Sequence, residues 1–311
     1  MKIKQLIYGA FTFIPGVNKL REKPTGGTVS ARYCYSVWLR HLVMADMNQL
    51  NTNPEVVAEL GPGDSLGIGL ASILTGADSY YAFDIVKYAN IENNLLIFDE
   101  LVELFKKRVD IPGEEEFPRV FPKLDNYTFP NKLLNEKRMN LALNEERLKK
   151  IRSCIANPES NTIIRYFAPW DSKNSINEES VDLIFSQAVL EHVDSLDSVY
   201  RTMNNWLKPG GFVSHQIDFK SHGFAREWNG HYQYSDFLWM LIKGKRPYLI
   251  NREPLQTHID ILNDIGFKIC FLERVKMHST ISIEDLPSKY KTITNEDLLT
   301  SGCFFEAIKA G

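Results

Sequence analysis

The amino-acid sequence predicts an α/β fold: a Rossmann-like, doubly wound, mostly parallel seven-stranded sheet with an antiparallel edge strand. Two observations carry this prediction. Short apolar runs typical of buried strands alternate with segments of helical apolar spacing, which is the pattern of parallel strands joined by crossover helices. The last two runs follow each other without a glycine-rich crossover, and this favours an antiparallel hairpin. The predicted strands are 56–60, one ending at Asp84, 161–167, 181–186, 211–218, 267–275 and 303–310.

The chain divides into an N-terminal helical segment, residues 1–50, and one α/β domain, residues 51–311. Within the first part, residues 30–50 have the apolar spacing of a helix and precede the first strand. After Asp84 the alternation of strands and helices stops. We interpret residues 87–158 as a mainly helical insertion that covers the mouth of the site.

Inside this insertion, helical patterns occupy residues 92–108 and 131–153, and the stretch 111–130 between them holds four prolines. Proline-rich stretches without periodicity form irregular connections. After the insertion, residues 196–207 form an amphipathic helix that Lys208-Pro209-Gly210-Gly211 ends. Residues 254–266 predict the last long helix.

Composition sets broad limits on function. The chain has 311 residues, 44% of them hydrophobic, so it can bury one large core or two modest ones. A net charge of −3 lacks the strongly basic face that nucleic-acid binding requires, so no nucleic-acid partner is expected. The four cysteines are isolated, which argues against a disulfide framework or a zinc site and suits a reducing cytoplasm.

The N-terminus, MKIKQLIYGAFTFIPGV, superficially resembles a signal peptide. Pro15 interrupts its apolar run, no small-residue cleavage site follows, and the run is too short to span a bilayer. A cytoplasmic protein is therefore expected, with two uses left open for this segment. It packs against the domain, or it touches the inner face of the membrane peripherally through Leu6, Ile7, Phe11, Phe13 and Ile14.

The most informative segment follows the first strand. Gly61 and Gly63 end that strand, where glycine lets a ligand approach the backbone, and a helix N-terminus with unpaired N–H groups comes next. Asp84 lies about 20 residues further on, the spacing at which an acid holds both hydroxyls of a ribose. The segment therefore predicts a site for a nucleoside-bearing cofactor.

Two cofactor classes fit a glycine turn of this kind. The spacing of Gly61, Gly63 and Gly67 differs by one residue from the dinucleotide fingerprint. An NAD(P)-dependent oxidoreductase is therefore the alternative from a different functional class. Glu59, two residues before the first glycine, favours S-adenosylmethionine (SAM), because a carboxylate there suits the cationic end of a ligand and opposes a pyrophosphate.

In open α/β sheets, ligands bind beyond the carboxyl ends of the strands. Trp170 and Asp171 follow the third strand, where an aromatic ring and an acceptor suit an adenine. Ser186 and Gln187 end the fourth strand and complete the predicted cofactor-binding set.

Several of these segments resemble the class I SAM-dependent methyltransferases. ELGPGDSLG resembles their motif I, and VDLIFSQAVLEHV followed by NNWLKPGGFV resembles their central motifs. The resemblance implies SAM as the cofactor, with Glu59 and Asp84 as binding residues. More narrowly, the first half of the chain is similar to methyltransferases of bacterial surface-polysaccharide gene clusters.

The resemblance also makes Glu191 and His192 candidate ligands of a metal ion. Some related enzymes use a Glu and a His here to hold a divalent metal, together with an acid three residues earlier. This sequence has Ala188 at that place, so the ligand set is incomplete. A structural role, an active-site role and metal binding all stay open for His192.

SHQIDFKSHGF, residues 214–224, leaves the fifth strand where a methyl acceptor would lie. An alcohol acceptor must lose a proton during transfer, and a histidine of near-neutral pKa is a suitable base. His222, oriented by Asp218, is the predicted base, with His192 and His215 as alternatives. His215 lies on the strand itself and also fits a core position.

The aromatic-rich span that follows suggests the acceptor. Aromatic rings stack on sugar faces and arginines bind phosphates or carboxylates, whereas the structural alternative is a hydrophobic flap. The expected reaction is O-methylation of a saccharide or glycolipid precursor in polysaccharide biosynthesis. An aromatic or polyketide-like metabolite is the second acceptor class. The residues concerned are Trp228, His231, Tyr232, Tyr234, Phe237, Trp239, Arg246 and Arg252.

Overall fold

A seven-stranded sheet organises the protein. The computed structural model describes residues 9, 11–13, 27–160, 162–170, 176–246 and 248–310. The strand order is β3-β2-β1-β4-β5-β7-β6. Strand β7 is antiparallel to both of its neighbours, β5 and β6, whereas the other neighbouring pairs are parallel. The strands are β1 Val56–Leu60, β2 Ser79–Phe83, β3 Ile164–Phe167, β4 Val181–Gln187, β5 Leu207–Asp218, β6 Phe267–Lys276 and β7 Thr300–Lys309.

This topology confirms the predicted α/β fold. The two closing strands form the antiparallel hairpin, and the reversed strand β7 lies between β5 and the outermost strand β6. The structure extends β7 to Thr300, three residues before the predicted start. It also begins β5 at Leu207, so the Lys208–Gly211 turn belongs to the strand's first residues.

Helices cover both faces of the sheet. They are α1 Ala31–Met47, α2 Gly67–Leu74, α3 Ile91–Lys106, α4 Glu136–Ala142, α5 Glu145–Ala156, α6 Leu196–Trp206, α7 Asp236–Lys243, α8 Leu255–Asp264 and α9 Asn295–Leu298. Successive strand residues point to opposite faces, so Val57 packs among α1 to α5 while its neighbour Ala58 packs among α6 and α8. Both faces are apolar, as expected for a mostly parallel sheet.

Helix α1 is part of the main core. The side chain of Ser30 caps its N-terminus by accepting the Tyr33 N–H, and the side chain of Trp38, within the helix, is fully buried. Arg40 is also fully buried, and its guanidinium donates to the carbonyl oxygens of Val120 (3.1 Å) and Pro122 (2.7 Å). These hydrogen bonds hold the proline-rich connection, which is irregular as its sequence predicts.

Helix α3 begins after the Asn90 cap and packs against α1 and α2 on one sheet face. The sequence interpretation placed the whole insertion over the mouth of the site. In the structure the apolar residues of its helices join the main core. The connection between them does reach the site edge, where the Phe121 carbonyl accepts the Gln187 side-chain N–H at 3.1 Å.

Residues 219–254, which we call the flap, connect β5 to α8 and contain α7. The flap has a small core of its own, and several aromatic residues assigned to sugar binding from the sequence lie inside it. Tyr234 and Trp239 are buried there, and the guanidinium of Arg252 lies over the Trp239 ring while donating to the Tyr234 carbonyl oxygen. The hydrophobic-flap alternative is therefore the correct one for these three residues.

Two further expectations concern cysteines and membrane spans. Cys34, Cys154, Cys270 and Cys303 are all free thiols. In the part of the chain that the structure describes, none of the helices has the length and apolar character needed to cross a membrane.

Candidate functional site

The carboxyl ends of the parallel strands bring the candidate residues to one edge of the sheet. Hydrogen bonds between neighbouring strand ends fix this edge. The Gly61 N–H donates to the Phe83 carbonyl oxygen at 2.8 Å, and the Trp170 N–H donates to that of Asp84 at 2.7 Å. The turns after β1, β2 and β3 are therefore held side by side.

The turn after β1 requires glycine for two separate reasons. Gly61 and Gly63 have φ angles of +64° and +73°, a region that residues with a Cβ rarely adopt. A Cβ on Gly61 would also lie 2.5 Å from Cγ2 of Val189, in the segment after β4. The turn can therefore lie directly against the end of the neighbouring strand.

Asp84 lies half-buried beside this turn. Its Oδ1 accepts the Ile85 N–H at 2.7 Å and the Val86 N–H at 3.4 Å. Burial raises the pKa of its carboxyl above the ordinary value, although these N–H groups and that of Gly63 act in the opposite direction. The carboxylate is thus directed at the glycine turn, as ribose binding requires.

The structure gives Glu59 a different partner from the one expected. The side chain of Glu59 is 1% exposed and accepts a hydrogen bond from the Tyr80 hydroxyl. Burial raises the pKa of its carboxyl to about 8, against the hydrogen bond from Tyr80. Glu59 thus forms a buried link between β1 and β2, and its contact with the cationic end of a ligand stays a prediction.

Trp170 lies at the end of β3, where it packs on Phe83 (5.6 Å between ring centroids) and Trp206 (5.7 Å). Its indole Nε1 is buried and has no hydrogen-bond partner among the described residues. A half-buried ring with an unused donor is consistent with an adenine platform. The adjacent Asp171 lies outside the described residues.

Ser186 and His215 pair with each other inside the core. The Ser186 hydroxyl lies 2.8 Å from Nδ1 of His215, and both residues are fully buried. Burial lowers the pKa of His215 well below its ordinary value. The structure therefore places His215 at the core position that the sequence left open, and it gives Ser186 a protein partner. Gln187 faces the opposite side, towards the Phe121 carbonyl.

Asp218 and His222 lie at the exposed rim. Nε2 of His222 is 3.6 Å from Oδ2 of Asp218, and about a third of the His222 side chain is exposed. Burial acts to raise the pKa of Asp218, but the His222 hydrogen bond and the Lys220 charge outweigh it and lower the pKa to about 2. Asp218 is therefore ionised at neutral pH and can orient the imidazole.

A group of unpartnered polar atoms surrounds this pair. The ring centroids of His192 and His222 are 5.2 Å apart, and burial lowers the pKa of His192 to about 4. Both carboxyl oxygens of Glu191 and the Nδ1 atoms of His192 and His231 are buried without a hydrogen-bond partner among the described residues. Burial raises the pKa of Glu191 well above its ordinary value, although the backbone N–H groups of Glu191 and Asp218 act in the opposite direction. We call Glu191, His192 and His231 the orphan cluster.

Two members of the orphan cluster also lie close enough to His222 to share a cation with it. Glu191, His192 and His222 each offer one ligand atom, and these atoms lie within 4.8 Å of one another. The loop after β5 thus adds His222 to Glu191 and His192, whereas position 188, where some related enzymes have an acid, holds an alanine. A metal held by Glu191, His192 and His222 is therefore an alternative occupant of this part of the site.

Sequence reasoning did not resolve the role of Asn251, which the structure makes clear. Its Nδ2 donates to the carbonyl oxygens of Leu190 (2.8 Å) and Val193 (2.9 Å), and its N–H donates to that of Glu191 (2.6 Å). Asn251 therefore holds the turn that carries Glu191 and His192 against the flap. An asparagine before the predicted helix at 254–266 was the available signal, but it did not show which segment the side chain reaches.

The comparison with protein families identifies the catalytic class. Residues 135–214 match the model of a family described as a methyltransferase domain, and they include β3, β4 and the first part of β5. The chain therefore contains a methyltransferase domain, with SAM as its cofactor. No protein with a curated description matches the sequence.

Solved structures that resemble the methyltransferase do so at low identity. A SAM-dependent methyltransferase from Mesorhizobium loti is 14% identical with a TM-score of 0.42, covering 83% of this chain and 91% of that one. A Methanosarcina mazei SAM-dependent methyltransferase is 14% identical with a TM-score of 0.45, covering 85% and 96%. Phosphoethanolamine N-methyltransferase 2 of Haemonchus contortus, in complex with SAM, is 14% identical with a TM-score of 0.45, covering 98% and 57%. Similarity at this level carries no argument about the acceptor.

The residues at the sheet edge suit SAM. The left-handed glycine turn, the Asp84 carboxylate beside it and the unused Trp170 donor supply an open backbone, a hydroxyl acceptor and an aromatic surface. The methyltransferase would therefore hold the cofactor across β1, β2 and β3, next to the orphan cluster.

Proposed function

We propose that this methyltransferase transfers a methyl group to a hydroxyl of a saccharide or glycolipid precursor, as a step of polysaccharide biosynthesis in the cytoplasm. The observation that carries the proposal is the orphan cluster. A buried polar group without a hydrogen bond costs about 1–3 kcal/mol, and native proteins contain few of them. A ligand that satisfies several such groups at once must carry several polar atoms.

A polyhydroxylated acceptor meets this requirement better than a flat aromatic metabolite. Glu191 and His231 line a small pocket together with Asp218 and Asn251. Burial favours the protonated form of Glu191, and in that form the carboxyl can donate one hydrogen bond and accept others, complemented by the two neutral histidines. Neighbouring hydroxyls of a sugar ring can pair with such alternating donors and acceptors.

His222 is the proposed base. The cofactor supplies an electrophilic methyl group, and the acceptor oxygen must lose its proton as it bonds to that methyl. An Nε2–H directed at Asp218 leaves Nδ1 of His222 unprotonated, so this nitrogen can take the proton and Asp218 stabilises the resulting imidazolium. His192 is a weaker candidate, because a pKa of about 4 makes it a poor base at neutral pH.

The experiment measures methyl transfer from radiolabelled SAM to three acceptor classes: free oligosaccharides, lipid-linked saccharides and aromatic alcohols. With the active class, His222→Ala should lower kcat by about 100- to 10,000-fold and leave SAM affinity nearly unchanged. Asp218→Asn should act in the same direction less severely and shift the pH profile. The matched control is His278→Ala, an exposed histidine outside the flap.

Three results would contradict parts of this proposal. Transfer to aromatic alcohols alone would favour the second acceptor class. Survival of activity in His222→Ala together with its loss in His192→Ala would place the base after β4. Loss of activity with a chelator, reversed by a divalent cation, would favour a metal held by Glu191, His192 and His222.

A further inference from the structure

The flap and the N-terminal segment together present large apolar side chains to solvent. Phe237 and Met240 of α7 are 69% and 52% exposed, and Phe11 and Phe13 are 51% and 46% exposed. We call these four side chains the docking face. Single exposed apolar residues are common on protein surfaces, but a group of aromatic residues on adjoining elements marks an interaction site.

Close backbone contacts attach the N-terminal segment to α7. A Cβ on Gly9 would lie 2.0 Å from the Leu241 carbonyl oxygen, and a Cβ on Gly244 would lie 2.1 Å from Oγ1 of Thr12. The Thr12 hydroxyl oxygen also accepts the Lys245 N–H at 2.8 Å. The segment that carries Phe11 and Phe13 therefore lies directly on the C-terminal end of the helix that carries Phe237 and Met240.

Basic side chains adjoin the docking face. Lys243, Lys245 and Arg246 stand within four residues, although the whole chain carries a net charge of −3. Lys243 pairs with Asp194, whereas the Lys245 ammonium lies 5.7 Å from the centroid of the Phe13 ring. An apolar face bordered by cations is the arrangement that binds an anionic lipid surface.

The docking face is structurally continuous with the acceptor site. Phe224, two residues after His222, packs against the flap core that contains Trp239 of α7, and the Arg246 guanidinium lies over the Phe224 ring. A surface that binds α7 would therefore lie close to the segment that carries the proposed base.

We propose that the docking face binds the surface of an anionic lipid bilayer, with the aromatic rings inserted at the headgroup level and the basic side chains facing the lipid charges. Membrane binding itself does not depend on the acceptor proposed above. The step from membrane binding to a lipid-linked acceptor does rest on it. Leu6, Ile7 and Ile14, expected from the sequence to join this contact, lie outside the described residues.

The test is co-sedimentation of the full chain, without SAM, with phosphatidylcholine vesicles that contain phosphatidylglycerol. The wild-type chain should bind these vesicles and bind pure phosphatidylcholine more weakly. Phe11→Ser and Phe237→Ser should each weaken binding about tenfold, since each removes an apolar side chain from the interface. Lys245→Gln should weaken it about fivefold and reduce its salt sensitivity.

Leu96→Ser and Leu141→Ser are the matched controls, because these leucines are 59% and 66% exposed on helices outside the flap and the N-terminal segment. They should bind vesicles like the wild type, and circular dichroism should show all variants folded. Equal binding by docking-face and control variants would overturn the proposal. So would the absence of vesicle binding, or a dimer that Phe237→Ser converts to a monomer, which would identify a second copy as the occupant. None of these results would bear on methyl transfer to a soluble saccharide.

Discussion

Gly61→Ala tests the structural basis of the cofactor turn. A Cβ at this position meets two separate penalties. Holding a non-glycine residue at a φ of +64° costs about 1–2 kcal/mol. The Cβ would also lie 2.5 Å from Cγ2 and 2.9 Å from Cγ1 of Val189, and overpacking of this kind costs about 1–3 kcal/mol. We therefore expect the free energy of unfolding to fall by about 2–5 kcal/mol.

Two further variants separate these penalties. Gly210 has a φ of +77°, and a Cβ on it would have no heavy atom within 4 Å, so Gly210→Ala measures the backbone penalty alone. Val189→Ala in the Gly61→Ala background removes the steric contact, so the two substitutions should couple favourably by about 1–3 kcal/mol.

The assay is urea unfolding followed by circular dichroism, with SAM titration calorimetry on the folded variants. Gly61→Ala should bind SAM more weakly than Gly210→Ala, because Val189 must move where the turn meets β4. If Gly61→Ala is no less stable than Gly210→Ala, the close approach of the turn to Val189 is refuted.

Two other predictions concern the cofactor and the core. Asp84→Ala should weaken SAM binding by about 1.5–3 kcal/mol in calorimetry, because a charged acceptor of hydroxyl hydrogen bonds is lost, and unchanged affinity in a folded variant would exclude the ribose role. Burial raises the pKa of Glu306 from 4.5 to about 7, against hydrogen bonds from Asn48 and Ser214. Its folded-state pKa is the higher one, so its contribution to stability is present below pH 4.5 and is lost as the pH rises through 7. Glu306→Gln should remove this loss, on the order of 3 kcal/mol between pH 4.5 and 8 in urea unfolding; an unchanged pH slope would contradict it.

The sheet and the cofactor turn were largely predictable because their signals are local. Glycines at a strand end, an acid about 20 residues later and a Lys-Pro-Gly-Gly helix stop each depend on neighbouring residues alone. The structure confirms the fold and places Gly61, Gly63 and Asp84 side by side. It also places Asp218 and His222 in contact, which followed from their common position after one strand.

The sequence did not predict which face of the sheet the side chains at strand ends point to. A strand buried on both faces shows no alternation of polar and apolar residues, so sequence does not reveal which way Glu59 or His215 points. The structure directs Glu59 to Tyr80 and His215 to Ser186. The sequence left the flap as one of two alternatives for a related reason: its aromatic residues have helical spacing only over α7, and their burial depends on contacts with Arg252, which follows α7 in the chain.

The flap links the two proposals physically. His222 and Phe224 belong to one short loop, and Phe224 packs against the same small core as α7, whose outer side carries the docking face. A core of this size is stabilised by few contacts, so it is the part of the chain whose position a bound surface can most readily influence. Asn251 of the flap donates to the backbone on both sides of Glu191 and His192 of the orphan cluster. A lipid surface at the docking face and an acceptor at the orphan cluster would therefore both contact the flap, which under the two proposals favours an acceptor that is itself attached to a lipid.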